Sequence, residues 1–169
     1  ASADEIAGWV RQQTEALAEA AARLGMRLAH VKPHGALYNV AATDGEVAQA
    51  IAHAVAAVDA SLILIGLAGS QLPAAGRAAG LAVLEEGFAD RRYRPDGRLV
   101  SRETPGAVLT DPAAAAAQAL RLARRQPVDT QPAGGVSIAA DTLCLHGDTA
   151  GALHIARAVH AALNSACLP

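Results

Sequence analysis

The sequence predicts an α/β fold built from parallel βα units. Three observations carry this expectation. Short apolar runs alternate with helical patterns along most of the chain, Leu62-Ile63-Leu64-Ile65 is apolar on both faces as a sheet-buried strand is, and polar clusters follow the apolar runs. Right-handed crossovers then set the strands parallel, with no internal repeat and no linker along the 169 residues, so residues 1–169 read as one domain.

Each element has a local reason. Ser2 followed by Glu5 is a capping box, and Ile6, Val10, Leu17 and Leu24 recur at helical spacing up to Gly25, which predicts an opening helix. Residues 28–31 form a short strand, 44–58 a helix and 62–65 the buried strand. Residues 69–79 are helical despite Pro73 and Gly76, and 81–84 are a strand. Asp111-Pro112 starts a helix running to about Arg125, with a capping side chain and proline in the first turn. Residues 126–135, with two Pro and two Gly, are a loop, 142–145 a last strand and 151–163 a closing helix. Four strands, with Leu99-Val100 as a candidate fifth, are too few to close a barrel, and the chain is short for one. Opening on a helix without an initiator Met, it reads as the back part of a longer protein. Its exposed sheet edge would then be covered by upstream residues or by self-association into a homo-oligomer.

Composition excludes several function classes. A net charge of −2 and four aromatic residues offer neither a basic field nor a stacking platform for nucleic acid. Apolar runs are alanine-rich or broken by Gly and charge, too short to span a membrane, and no signal peptide is visible. Cys144 and Cys167 have no CxxC spacing, which fits a reducing cytoplasm better than a disulfide framework.

Chemistry gathers after three apolar runs. The first cluster is His30-Val31-Lys32-Pro33-His34-Gly35, where strand alternation sends His30, Lys32 and His34 to one face and Pro33 ends the ladder. Lys32 is the only lysine among fourteen cationic residues, which marks a position needing a compact ammonium. The second is Glu85-Glu86-Gly87-Phe88-Ala89-Asp90-Arg91 and the third His146-Gly147-Asp148. In a parallel βα fold these loops converge at the carboxyl ends of the strands, so Lys32, Glu86 and His146 are expected in one pocket. Lys, Arg, carboxylate and His together suit acyl or phosphoryl transfer, the cations holding an oxyanion and a His or Glu moving the proton. His34 and His146 with Asp148 or Glu86 are a weaker candidate set for a divalent metal, since no HxxxH or HExxH spacing occurs. Gly66-Leu67-Ala68-Gly69-Ser70, between strand and helix, can cradle an anion on backbone N–H groups or be a plain tight turn.

With these motifs in place, the chain resembles the LamB/YcsF family. The resemblance rests on His30 to Asn39, Gly66 to Ser70, Glu86 with Phe88-Ala89-Asp90-Arg91, Gly97 to Arg102, and Cys144-Leu145-His146-Gly147-Asp148. It implies part of a distorted seven-stranded β/α barrel, akin to glycoside hydrolases and deacetylases. It also implies ATP-dependent hydrolysis of 5-oxo-L-proline to L-glutamate, with ATP and Mg2+, alongside subunits B and C of a 5-oxoprolinase. Carried residue by residue, catalysis falls to Lys32, His34, Glu86, Asp90, Arg91 and His146. Lys32 and Arg91 hold the anionic substrate or a phosphorylated amide, and Glu86 or a His serves as acid/base. Substrate contacts fall to Tyr38, Asn39, Gly66, Gly69, Ser70, Arg102 and Asp148, with no metal assigned. Arg92 stands where the family commonly has Gly, and the family's Asn-Ala-Asp-Leu-Gly-Glu, Cys-Gly-Phe-His and His-Pro segments do not occur here. The chain is thus expected to hold part of the active site and to be inactive alone. The alternative readings are a metal-dependent C–N hydrolase and a non-catalytic interaction subunit.

Overall fold

The structure, a computed structural model, describes residues 1–166; Cys167 lies outside them. The chain divides into two compact units, Ala1–Glu85 and Glu86–Pro169.

In the first unit, helix α1 (Ala3–Arg23) starts on the expected capping box: the Ser2 N–H donates to Glu5 at 2.7 Å and the Glu5 N–H to Ser2 Oγ at 3.2 Å. Its burial departs from the expected stripe. Ile6, Leu17 and Leu24 lie nearly in line at about 100° per residue, yet Leu17 and Leu24 are exposed, and the buried positions are Ile6, Thr14 and Ala21. The helix therefore turns a partly apolar face outward.

Strand β1 (His30–Val31) is followed by two helices, α2 (Gly35–Thr43) and α3 (Gly45–Val58). Helix α2 is not among the elements the sequence predicts. Its amphipathic signal is weak because alanines flank its few large apolar residues, and it begins on Gly35 at φ 60°. Asp44 separates the two helices and caps α3 through bonds from the Glu46 and Val47 N–H groups at 3.0 and 3.1 Å. Strand β2 (Ile63–Leu67) lies between β1 and β3 (Ala82–Phe88), and β1 pairs with it in parallel, His30 opposite Ile63. Helix α4 (Gln71–Ala78) connects β2 to β3.

The core of this unit packs α1 and α4 on α3 around Ile51, Val55, Leu62, Leu64 and Leu72, with Ala48 and Ala52 fully buried between helices. Alanine thus does more than favour helix: its small side chain lets helix axes approach closely. Gly76 does the same against the sheet. A Cβ there would sit 2.8 Å from Val83 Cγ2 and 3.0 Å from Leu64 Cδ2, which is why glycine is kept in mid-helix despite its cost.

The second unit begins inside β3. Glu85 and Glu86 are strand residues, not the loop residues after a strand that their polarity suggests, because the ladder runs on: Glu86, Gly87 and Phe88 pair in parallel with Thr142, Leu143 and Cys144 of β6 (Thr142–Cys144). Asp111 caps α5 (Pro112–Ala123) as expected, and α6 (Ala152–Ser165) packs against α5 around Ala115, Ala119, Ile155 and Val159. Two details differ from expectation. The expected loop 126–135 contributes to a short antiparallel pair, β4 (Val128–Asp129) with β5 (Gly135–Val136), and Leu99 forms an isolated bridge to Tyr93. Strands of two residues are too short to show any period. Among the described residues no helix is long and apolar enough to cross a membrane.

The packing at Gly76 sets a test. Gly76→Val should lower unfolding stability by about 1–3 kcal/mol, since the added methyls meet Val83 and Leu64 with no free volume. Urea unfolding followed by circular dichroism measures it, and an unchanged midpoint would contradict this packing.

Candidate active site

The first unit holds the first predicted cluster and the Gly66–Ser70 turn. Lys32 follows β1 half-buried, its Nζ 5.7 Å from the centroid of the buried Tyr38 ring, a distance at which the ammonium feels the ring's negative face. His34 is the exposed N-cap of α2 and makes no side-chain cap, while Asn39 Nδ2 donates back to the Gly35 carbonyl at 3.3 Å. Because β1 stops at Val31, strand alternation is not what relates His30, Lys32 and His34. All three nonetheless line one groove of about 1020 Å3, whose walls include Trp9, Leu17 and Val40.

The candidate anion-binding turn, Gly66 to Ser70, follows β2. Gly66 is required by packing, since a Cβ there would lie 2.9 Å from Pro73 Cδ. Gly69 adopts φ 72° and its N–H donates to Glu85 Oε2 at 2.5 Å, while Arg77 Nη2 donates to Glu85 Oε1 at 2.6 Å. The turn does bind an anion, but that anion is the chain's own Glu85. Ser70 caps α4 without a side-chain bond, and its buried Oγ has no hydrogen-bond partner among the described residues.

The second unit brings predicted residues together most tightly. Just past the ends of the paired strands β3 and β6, Asp90 is 1% exposed and its carboxylate accepts twice from His146. The His146 backbone N–H donates to Oδ2 at 2.8 Å, and ring Nδ1 lies 3.1 and 3.0 Å from Oδ1 and Oδ2. Burial pushes the Asp90 carboxyl up, but the side-chain and backbone bonds from His146 outweigh it and hold the group below the ordinary carboxylate value. With Nδ1–H directed at a carboxylate, the imidazole is fixed in the tautomer that leaves Nε2 as its basic atom. The Phe88 ring stacks on the imidazole with centroids 5.6 Å apart and planes 23° from parallel.

Neighbouring groups fill out the setting. Glu86 is buried on β3 opposite Thr142. Arg91 is buried too; its Nη2 donates to the Val100 carbonyl at 2.5 Å and its Nε has no hydrogen-bond partner among the described residues. Burial and then the charge of Arg102 lower the Arg91 guanidinium from its ordinary value. Arg102 pairs with Asp148 at 2.9 Å in the open, and that bond holds Asp148 below the ordinary carboxylate value. Such an exposed pair contributes little to stability.

Two residues essential to this geometry are not picked out by the sequence. Tyr93, fully buried, accepts the Phe88 N–H at 2.6 Å, and burial drives its phenol upward in pKa. Gln118 donates from α5 to carbonyls around Asp90. A signal for it exists: in Ala115, Gln118, Ala119 and Leu122, spaced i, i+3, i+4, i+7, it is the polar member of an otherwise apolar buried stripe. Among the described residues no group of three His, Cys, Asp or Glu side chains is placed to hold a metal ion.

The sequence model of the LamB/YcsF family matches residues 1–168. The chain is 52% identical over 166 residues to the 5-oxoprolinase A subunit of Methylococcus capsulatus, covering 98% of this chain and 64% of that protein. It is 51% identical to the 5-oxoprolinase A subunit of Tolumonas auensis, covering 96% of this chain and 64% of that protein. It thus spans just under two thirds of the length of these curated relatives. The crystal structure of a lactam utilization protein from Thermus thermophilus superposes with a TM-score of 0.87 at 43% identity, covering 97% of this chain and 65% of that one. The α/β class with parallel strands stands on both grounds.

The Asp90–His146 pair has a pH signature. Because the Asp90 carboxyl ionises below its ordinary value of 3.8 when folded, its contribution to stability is fully present above that value and is lost as pH falls through the lower folded value. The stability gap between the native chain and Asp90→Asn should therefore shrink as pH falls from about 5 to 3. Urea midpoints across that range check it, and a gap that stays constant into the acid range would show the carboxyl is not held this way.

Proposed function

This chain belongs to the LamB/YcsF family, and from that premise we propose that it is the A component of a 5-oxoprolinase that hydrolyses 5-oxo-L-proline to L-glutamate, coupled to ATP and Mg2+ and assembled with subunits B and C. The observation that carries the catalytic part is the buried Asp90 carboxylate fixed on His146 just past the ends of two parallel strands. Parallel βα folds present their reacting groups at that end.

Opening the lactam adds water across its C–N bond: the water oxygen joins the ring carbonyl carbon, the C–N bond breaks, and the nitrogen gains a proton. His146 Nε2 takes the proton from the attacking water and returns it to the leaving nitrogen. Asp90 holds the ring in the required tautomer and stabilises the imidazolium formed between those events. Phe88 covers one face of the imidazole, limits its rotation and keeps water from that side. No step is assigned to ATP on this chain. The Gly66–Ser70 turn is a poor fit for a polyphosphate, because the Gly69 N–H is already engaged by Glu85 and a second anion would meet that carboxylate.

The test is His146→Gln in the assembled 5-oxoprolinase, with glutamate release assayed at saturating substrate. Loss of the acid/base should cut kcat by roughly 10²–10⁴-fold and leave KM for 5-oxoproline nearly unchanged. A kcat within a factor of about three of the native enzyme would remove His146 from the chemistry.

A further inference from the structure

Asp90 is held from its backbone as well as from its side chain. Its own carbonyl accepts the Leu109 N–H at 2.8 Å, and the preceding Ala89 N–H donates to the Cys144 carbonyl at 3.1 Å. The carbonyls that bracket it, those of Phe88 and Arg91, both accept from one side-chain nitrogen, Gln118 Nε2, at 2.7 Å each, with the Ala89 carbonyl farther off at 3.4 Å. Gln118 is buried on α5 and reaches across some thirty residues of sequence to do this. An amide NH2 has two hydrogens, and two short bonds use both.

We propose that Gln118 is a positioning residue: by fixing the Phe88 and Arg91 carbonyls, before and after Asp90 in the loop, it sets the angle at which the carboxylate meets His146 Nδ1 and thereby the tautomer of the imidazole. The inference rests on reading His146 as the acid/base, and deepens it. Were Gln118 only filling space, any side chain of its volume would serve. If it positions, the two donors are what matter, because the carboxylate must lie within about 0.5 Å of its working place for the ring to be held.

Two near-isosteric variants separate these roles. Gln118→Met keeps the bulk and loses both donors, while Gln118→Glu keeps the shape but turns carboxylate oxygens toward two carbonyl oxygens. The readout is the tautomer of His146 in this 169-residue chain labelled with 15N at histidine, from long-range 15N–1H spectra. A His146→Gln spectrum identifies its signals among the six histidines. The native chain should show Nδ1–H with unprotonated Nε2. Folded Gln118→Met and Gln118→Glu should lose that signature in favour of Nε2–H or an averaged ring. Should both fail to fold, Gln118→Asn, whose donor falls one methylene short, is read the same way. Retention of the native tautomer in a folded variant, or an Nε2–H form in the native chain, overturns the proposal. Because the tautomer is read without turnover, this result is independent of whether His146→Gln lowers kcat.

Discussion

A buried carboxylate has to be answered, and much of the second unit is arranged around answering one. An ionised group as enclosed as Asp90 costs several kcal/mol unless it is paired and hydrogen-bonded. His146 supplies both its backbone N–H and its ring nitrogen, and the net effect is a carboxyl that stays charged more readily than one in water. The geometry that satisfies the charge also orients the imidazole. The satisfied charge and the orientation of the imidazole therefore depend on the same bonds, and a change that frees the ring also strands the charge.

The loop holding Asp90 has little freedom left. Tyr93 takes the Phe88 N–H, Gln118 takes the Phe88 and Arg91 carbonyls, and Leu109 donates to Asp90 itself. Buried peptide groups without partners each cost on the order of 1–3 kcal/mol, so these side chains satisfy needs that a strand ladder would otherwise meet. The ladder cannot continue here, because β6 ends at Cys144. Side chains from α5 and from the segment after β3 take over where backbone pairing stops, which is how a loop acquires the rigidity of a strand.

What the sequence makes legible follows from which signals are local. Caps at Ser2 and Asp111 place two helix starts correctly, since each depends on a few adjacent residues. Helix α2 escapes because alanine gives no amphipathic contrast, and β4 and β5 escape because two residues have no period. Among candidate site residues, Asp90 and His146 stand out by their place after apolar runs, and in the structure they meet. Glu86 stands out for the same reason but is a strand residue, since the acidic pair does not end the ladder as polarity suggests. Gln118 stands out only as the polar member of the buried stripe on α5, and Tyr93 does not stand out at all. Their importance lies in partners 27 residues away for Gln118 and in a single backbone bond for Tyr93, neither of which composition or spacing encodes.

The two polar turns after strands show why similar sequence signals lead to different chemistry. After β2, Gly69 offers an N–H to an anion and Glu85 fills the role, with Arg77 neutralising the carboxylate; donor and acceptor are both consumed within the fold. After β3, Asp90 consumes only one of the two ring nitrogens of His146. A histidine held by a carboxylate on one nitrogen keeps its other lone pair for a reactant, whereas a backbone amide held by a carboxylate has nothing further to give. Whether a polar group after a strand has bonding capacity left for a ligand is therefore decided less by its residue type than by whether its partners within the fold use that capacity up.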